Sequence, residues 1–227
     1  MHRVLTAALV LPLTIFPLRT LAQNAASKST QLTVAVYNDA RVPPAVLSRA
    51  EQRAASIFSH ANFEVFWVHC VHASAEDAVV CRQTDRPGHL ALRIIPDAMK
   101  SASHAVFGIA FLARDGSGKY SDVFWKRAED LHAMSNLDVG SILGSVMGHE
   151  MGHLLLGSNA HAVSGIMRAH WEAEELRRIG MGTLLFTPQQ AERMQGRMRL
   201  VEPVEQPLPM TSNYETSINN SASVLRR

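Results

Sequence analysis

The chain has 227 residues, of which 47% are hydrophobic and 19% are charged, which is enough for one sizeable domain with an apolar core. A formal net charge of +2 gives no reason to expect a nucleic-acid partner. The composition thus indicates an ordinary globular protein, although its 11 histidines offer many metal-binding side chains.

Residues 1–22 have the pattern of an export signal. Arg3 supplies the positive start, residues 4–18 are apolar, and small residues precede a cleavage site that we expect after Ala22. The apolar run is shorter than the about 20 residues that a membrane span needs, and its two prolines argue against a buried helix. We therefore expect a secreted or periplasmic protein without a stable membrane span after cleavage. Residues 23–31 would form a short linker.

The next hundred residues alternate between strand and helix patterns. Residues 32–37 (LTVAVY) predict a strand because β-branched side chains dominate them. Pro43 and Pro44 then open a helix that runs to about His60, with apolar residues at helical spacing. Further strands are predicted at residues 63–68, 89–95, 107–113 and 121–125. The pattern indicates an α+β fold, in which a mixed twisted sheet of about five strands packs on helices.

The two cysteines, Cys70 and Cys81, lie between the second and third predicted strands. In an oxidising compartment such a pair indicates a small disulfide loop. The alternative, a pair of thiolate metal ligands, is weaker because the spacing fits no common zinc knuckle. A crosslink over so short a loop contributes about 3 kcal/mol, so we interpret it as a local staple.

A long apolar helix is predicted from about Asn136 to Leu156, with Ser135 or Asn136 as its N-cap. Its segment HEMGH places His149 and His153 one turn apart, about 6 Å along the axis, so that both imidazoles can bind one ion. Glu150 projects about 100° further round, where it can reach a water on the metal without ligating it.

A buried histidine on an apolar helix is more often a hydrogen-bonded core residue than a ligand. Here, however, a carboxylate lies in the same helix, and burying it without a counter-charge would cost several kcal/mol. A cation removes that cost, so the helix predicts a site for one zinc ion. Gly157 then ends the helix, and His161 follows where the reversed chain can return toward the ion.

The stretch HEMGHLLLGSNAH, followed by the tripeptide GIM, resembles the metzincin zinc peptidases, most nearly their matrixin and archaemetzincin branches. The resemblance implies a zincin-like fold and a helical C-terminal part. It also implies that His149, His153 and His161 are the zinc ligands, that Glu150 is the catalytic base, and that Met167 is the methionine of a turn beneath the metal.

The spacing departs from the usual metzincin pattern by one extra residue before Gly157 and one after it. The third ligand could therefore come from downstream, as in thermolysin-like zinc enzymes, although a solvated helix face is the simpler interpretation of that segment. The downstream candidates are Glu172, Glu174 and Glu175. Ala169 stands where some metzincins have a helper tyrosine, and His170 is the nearest candidate to replace it.

Four glycines recur at every fourth position of the same helix: Gly140, Gly144, Gly148 and Gly152. Each costs about 0.5–1 kcal/mol relative to alanine, so we expect another element, the first helix or the sheet, to pack against this bare backbone. The remaining chain to about Leu200 is predicted to be mostly helical, with Thr187 as an N-cap. Residues 32–201 would form the catalytic domain, and 202–227, rich in proline and small polar residues, a disordered tail.

Together these features predict an exported zinc metalloendopeptidase with a peptide or protein substrate. Glu150 would take a proton from a zinc-activated water, and residues 107–113 would supply a sheet edge for the substrate. Two alternatives stay open: a zinc hydrolase of a non-peptide amide, and a zinc-binding module without catalysis. The sequence leaves the oligomeric state undetermined.

Overall fold

The structure is a computed structural model that describes residues 29–70, 74–83, 85–97 and 106–201. The predicted export signal and the predicted C-terminal tail lie outside these residues. Within the described ranges, no helix has both the length and the apolar character to cross a bilayer.

The sheet has five strands: β1 (Thr30–Asn38), β2 (Phe63–His69), β3 (His89–Ile95), β4 (Gly108–Phe111) and β5 (Tyr120–Phe124). Their order is β2-β1-β3-β5-β4. The first four in this order are mutually parallel, and β4 pairs antiparallel with β5 at one edge. The predicted α+β fold with a mixed five-stranded sheet is confirmed, although β4 is shorter than the predicted 107–113.

The helices are α1 (Pro44–Ser59), α2 (Ala75–Val80), α3 (Trp125–Ser135), α4 (Val139–Leu156), α5 (Ala173–Gly180) and α6 (Pro188–Val201). Helices α2 and α3 were not predicted, and the expected start of the long helix at Asn136 was wrong. Asn136 instead ends α3 in the left-handed region with φ 58°. Asp138 caps α4, because its side chain accepts a hydrogen bond from the Ser141 N–H at 2.8 Å.

Helix α4 is the centre of the molecule, and almost every residue from Gly140 to Leu156 is buried. A helix that is apolar on all sides requires neighbours on all sides. Strands β3, β4 and β5 contact it from the sheet, and α1, α3, α5 and α6 pack against its other sides.

Helix α1 packs across the glycine ridge of α4, as expected. A Cβ placed on Gly140 would lie 2.8 Å from the Arg49 Cβ, and one placed on Gly148 would lie 3.1 Å from the Ile57 side chain. The glycines therefore let two helix backbones approach more closely than any side chain would allow. Further along, Gly152 faces Met167 and Phe186 instead of α1.

The disulfide Cys70–Cys81 is present and spans a sequence separation of 11. It encloses α2 and follows the end of β2, at the sheet edge opposite β4. The Tyr37 hydroxyl donates to the Cys81 carbonyl at 2.9 Å, which ties this loop to β1.

The predicted start of the last helix is also confirmed. The Gln190 N–H donates to the Thr187 hydroxyl at 3.3 Å, and the Thr187 N–H donates to the Gln190 side chain at 2.9 Å, which forms a reciprocal capping box. Arg53 of α1 fixes the segment before this helix by donating to the Gly182 and Leu184 carbonyls at 2.7 and 2.8 Å.

Candidate metal centre

Three imidazoles converge at the surface of the buried helix α4. His149 and His153 lie on α4 with their Nε2 atoms 3.0 Å apart. Gly157 ends the helix in the left-handed region at φ 63°, and the chain that follows brings His161 back toward them. The ring centre of His161 lies 5.4 Å from that of His149 and 5.0 Å from that of His153. One nitrogen from each ring lies within 4.8 Å of the others, so the three side chains can share one ion.

Backbone carbonyls fix the tautomers of both helical histidines. The Nδ1 of His149 lies 2.7 Å from the Ile166 carbonyl oxygen, and the Nδ1 of His153 lies 2.8 Å from the Ser158 carbonyl oxygen. A carbonyl only accepts, so each Nδ1 carries the hydrogen and each Nε2 of the neutral ring keeps its lone pair. Such outer hydrogen bonds are the usual way in which proteins orient a histidine ligand.

Two facing lone pairs at 3.0 Å repel each other unless a cation lies between them. Tetrahedral zinc with Zn–N bonds of about 2.0–2.1 Å sets its ligand nitrogens about 3.4 Å apart. The observed separation is close to that value. The residues present therefore fit a zinc ion held by three imidazole nitrogens.

The local electrostatics keep the imidazoles neutral, as metal binding requires. Burial is the largest cause that lowers the pKa of His149 to about 3, and the neighbouring His153 and His161 contribute to the same shift. Burial is also the largest cause that lowers the pKa of His153, and for His161 burial acts together with the nearby His170. At neutral pH all three rings therefore offer lone pairs without first losing a proton.

Glu150 is buried beside the imidazoles, with 5% of its surface exposed. Burial raises its pKa to about 8, and no nearby charge opposes this shift. Its side chain lies against Gly108 of the edge strand β4. A nearby cation lowers the pKa of a carboxyl group, so an ion held by the three neighbouring imidazoles would let Glu150 ionise and accept a proton near neutral pH.

A cavity of about 550 Å³ opens over these residues, between β4, helix α4 and the segment 168–171. Phe107 and Trp171 form its aromatic wall, where the two rings stack with their centres 6.0 Å apart. Trp171 also meets His149 edge-on at 5.9 Å, and its indole N–H donates to the Ile166 carbonyl at 3.3 Å. The cavity thus combines an apolar wall with a floor of imidazoles and one carboxyl group.

The GIM segment forms a tight turn next to the imidazoles. Gly165 has φ +76°, which favours glycine, and Met167 is fully buried. A Cβ placed on Gly152 would lie 2.7 Å from the Met167 sulfur, so the methionine packs directly on α4 one residue before His153. Leu185 secures the turn, because its carbonyl accepts from the Ile166 N–H at 2.9 Å.

The three downstream glutamates are engaged elsewhere. Arg168 donates to Glu175 at 2.9 Å and to Glu172 at 3.0 Å, and both glutamates also form the capping box of α5. Glu174 pairs with Arg177 at 2.9 Å on the exposed side of α5. Within the described part of the chain, none of them joins the imidazole group. His170 lines the cavity and lies near His161. The carbonyl groups of Ser158 and Ile166, which fix the tautomers, carry no signal in the sequence and were not predicted.

Comparison with known proteins gives a weak likeness. No protein-family model and no curated protein matches the chain. A zinc-dependent peptidase from Methanocorpusculum labreanum (strain Z) has a similar solved structure, with 14% identity, a TM-score of 0.49, and coverage of 71% of this chain and 99% of that one. A likeness at this level assigns neither a family nor an activity.

Proposed function

We propose that the protein is an exported zinc metalloendopeptidase of metzincin type. His149, His153 and His161 hold one zinc ion, and Glu150 is the general base. The observation that carries this proposal is the pair of Nδ1 atoms fixed by backbone carbonyls, which leaves two Nε2 lone pairs facing each other at 3.0 Å beside a third imidazole.

The set of side chains supports catalysis rather than a purely structural site. Three imidazoles leave one corner of a tetrahedron open, whereas structural zinc sites are closed by four protein ligands. When bound, the zinc ion supplies the positive charge that polarises a carbonyl and lowers the pKa of water. Glu150 takes the proton from the attacking water and delivers it to the leaving amine.

The edge strand β4 supports a peptide as the substrate. The Phe124 N–H donates to the Phe107 carbonyl at 2.9 Å, and Gly108 lies opposite Val123. Because hydrogen-bonded pairs alternate along antiparallel strands, the N–H and C=O groups of Gly108 and Ala110 point away from β5. They face the open edge beside the cavity, where an extended peptide can add as another strand.

Zinc analysis and a casein digest test the proposal. The wild type should carry one zinc per chain and cleave casein, and a chelator should abolish the cleavage. Glu150→Gln should keep the zinc but lower kcat by about 10²–10⁴-fold, because it removes the general base. The control Glu174→Gln changes a carboxylate on the exposed side of α5 and should behave as the wild type.

Two results would contradict the proposal in different ways. A wild type that binds zinc without cleaving casein would favour a binding module or a different amide substrate. A wild type that binds no zinc would refute the metal site itself.

A further inference from the structure

Gly108 leaves a space on the core side of the edge strand, and the Glu150 side chain fills it. A Cβ placed on Gly108 would lie 2.6 Å from the Glu150 Cγ and 2.7 Å from its Cδ. The same Cβ would lie 2.7 Å from the backbone oxygen of Asp122 on β5. Real Cβ atoms do not approach other heavy atoms this closely, so any side chain at position 108 would displace Glu150 or the strand.

Confinement is the main restraint on the Glu150 carboxyl group. Within the described part of the chain, no hydrogen bond or ion pair holds it. A glutamate has three rotatable bonds, so a carboxyl group without directional partners keeps one position only if its surroundings exclude the others. Gly108 supplies one wall of that enclosure.

The same residue faces the proposed substrate with its backbone. Gly108 and Val123 form a pair that exchanges no hydrogen bonds, so the N–H and C=O of Gly108 point to the open edge. The position that a Cβ of residue 108 would occupy faces Glu150, and the polar backbone groups of Gly108 face the cleft. One residue thus contacts both the base and the place where a peptide would lie.

We propose that Gly108 is a positioning residue for the hydrolysis. The missing side chain forms a slot that holds the Glu150 carboxyl group, and the outward backbone groups fix the peptide register at the same point of the strand. The distance between the base and the bound peptide is thereby set by one residue. This inference rests on the proposed function and names a residue that acts through Glu150.

Kinetics and zinc affinity of Gly108→Ala test the proposal, with Gly196→Ala as the matched control. A Cβ on Gly196 meets nothing nearer than the end of Arg199 at 4.0 Å, so this change should alter neither property. Gly108→Ala should keep the zinc affinity, since all three imidazoles are untouched. Its kcat should fall by about 100-fold or more, the lower end of what general-base catalysis contributes, with a smaller change in KM. A kcat close to the wild-type value would overturn the proposal.

A stability cycle tests the slot without any substrate. Gly108→Ala is made in the wild type and in Glu150→Ala, and melting temperatures are compared. The shorter side chain at position 150 vacates the slot and leaves only the clash with the Asp122 oxygen, so the loss caused by Gly108→Ala should be at least halved. Equal losses, or failure of both Gly108→Ala proteins to fold, would show that the strand alone requires glycine and would overturn the proposal. Absence of zinc from the wild type would refute the proposed function while the cycle still reports on the slot.

Discussion

Replacing Gly144 by alanine tests how closely α1 packs on α4, the helix that carries two of the three clustered imidazoles. In an unhindered helix this change stabilises by about 0.8–1.0 kcal/mol. Here the new Cβ would lie 2.7 Å from the Arg53 Cβ and would also meet the Ala50 carbonyl oxygen. Neither atom can rotate away, because both are fixed by the backbone of α1, so overpacking costs about 1–3 kcal/mol. The free energy of unfolding should therefore stay unchanged or fall by up to about 2 kcal/mol.

The control is again Gly196→Ala, at a helical position with open space. It should gain the full helix-propensity benefit, so the two variants should differ by about 1–3 kcal/mol, which is the overpacking cost alone. For a domain of this size each kcal/mol shifts the melting temperature by about 2–4 °C, which thermal unfolding followed by circular dichroism resolves. If Gly144→Ala raised the melting temperature as much as Gly196→Ala, the close contact between the helices would be refuted.

Three other predictions concern the pH dependence of stability, the disulfide and the third zinc ligand. Thermal scans with EDTA should show the metal-free protein losing stability as the pH rises from 6.5 to 8, because the folded chain keeps a proton on Glu150 up to about pH 8 while the unfolded chain has released it above 4.5. Glu150→Gln should flatten this dependence, and equal slopes in the two proteins would contradict the raised pKa. Replacing Cys70 and Cys81 by serine should lower stability by about 3 kcal/mol, or about 6–12 °C in melting temperature, with zinc content retained, and an unchanged melting temperature would contradict a stapling role. His161→Ala should weaken zinc binding, measured by chelator competition, by more than the roughly 10–100-fold that is typical when a partner of a ligand is changed. Glu172→Ala should leave zinc binding unchanged. The reverse result would indicate that the third ligand lies at the start of α5 and not at His161.

The parallel part of the sheet was predictable because its strands are buried on at least one face. Strands β1, β2, β3 and β5 agree with the prediction to within two residues at each end. Their β-branched and aromatic runs satisfy a requirement that is local to each strand. The order β2-β1-β3-β5-β4 was not predictable, since it depends on which crossovers the helices make and not on any single segment.

Helix α3 was missed because it has neither a start signal nor a strong apolar stripe. It begins at Trp125 directly after β5, and no side chain caps its first turn. Only Ala128 and Leu131 are buried among its residues, so the helical period is weak. The break before α4 depends on Asn136 in a left-handed conformation. Asparagine adopts this conformation more readily than most residues, but an asparagine in the sequence does not by itself predict it.

The candidate site likewise has a part that was predictable from the sequence and a part that was not. His149, Glu150 and His153 were predictable because one regular helix fixes their relative directions. His161 lies in a loop, and the chain reversal at Gly157 together with the resemblance to zinc peptidases pointed to it. The glycine at position 108 and the carbonyl groups of Ser158 and Ile166 gave no signal, because their effect arises from backbone atoms brought together by the tertiary fold.

The end of α4 explains how His161 reaches the other two imidazoles. Each helical residue moves the exit of the chain by about 1.5 Å and 100°, so the length of α4 decides the side from which the loop leaves. Gly157 reverses the chain in the left-handed region, and the Ser158 N–H donates back to the His153 carbonyl at 3.3 Å. The Ser158 carbonyl then holds the Nδ1 of His153 at 2.8 Å, so the loop is attached to His153 before it brings His161 back toward the other two imidazoles.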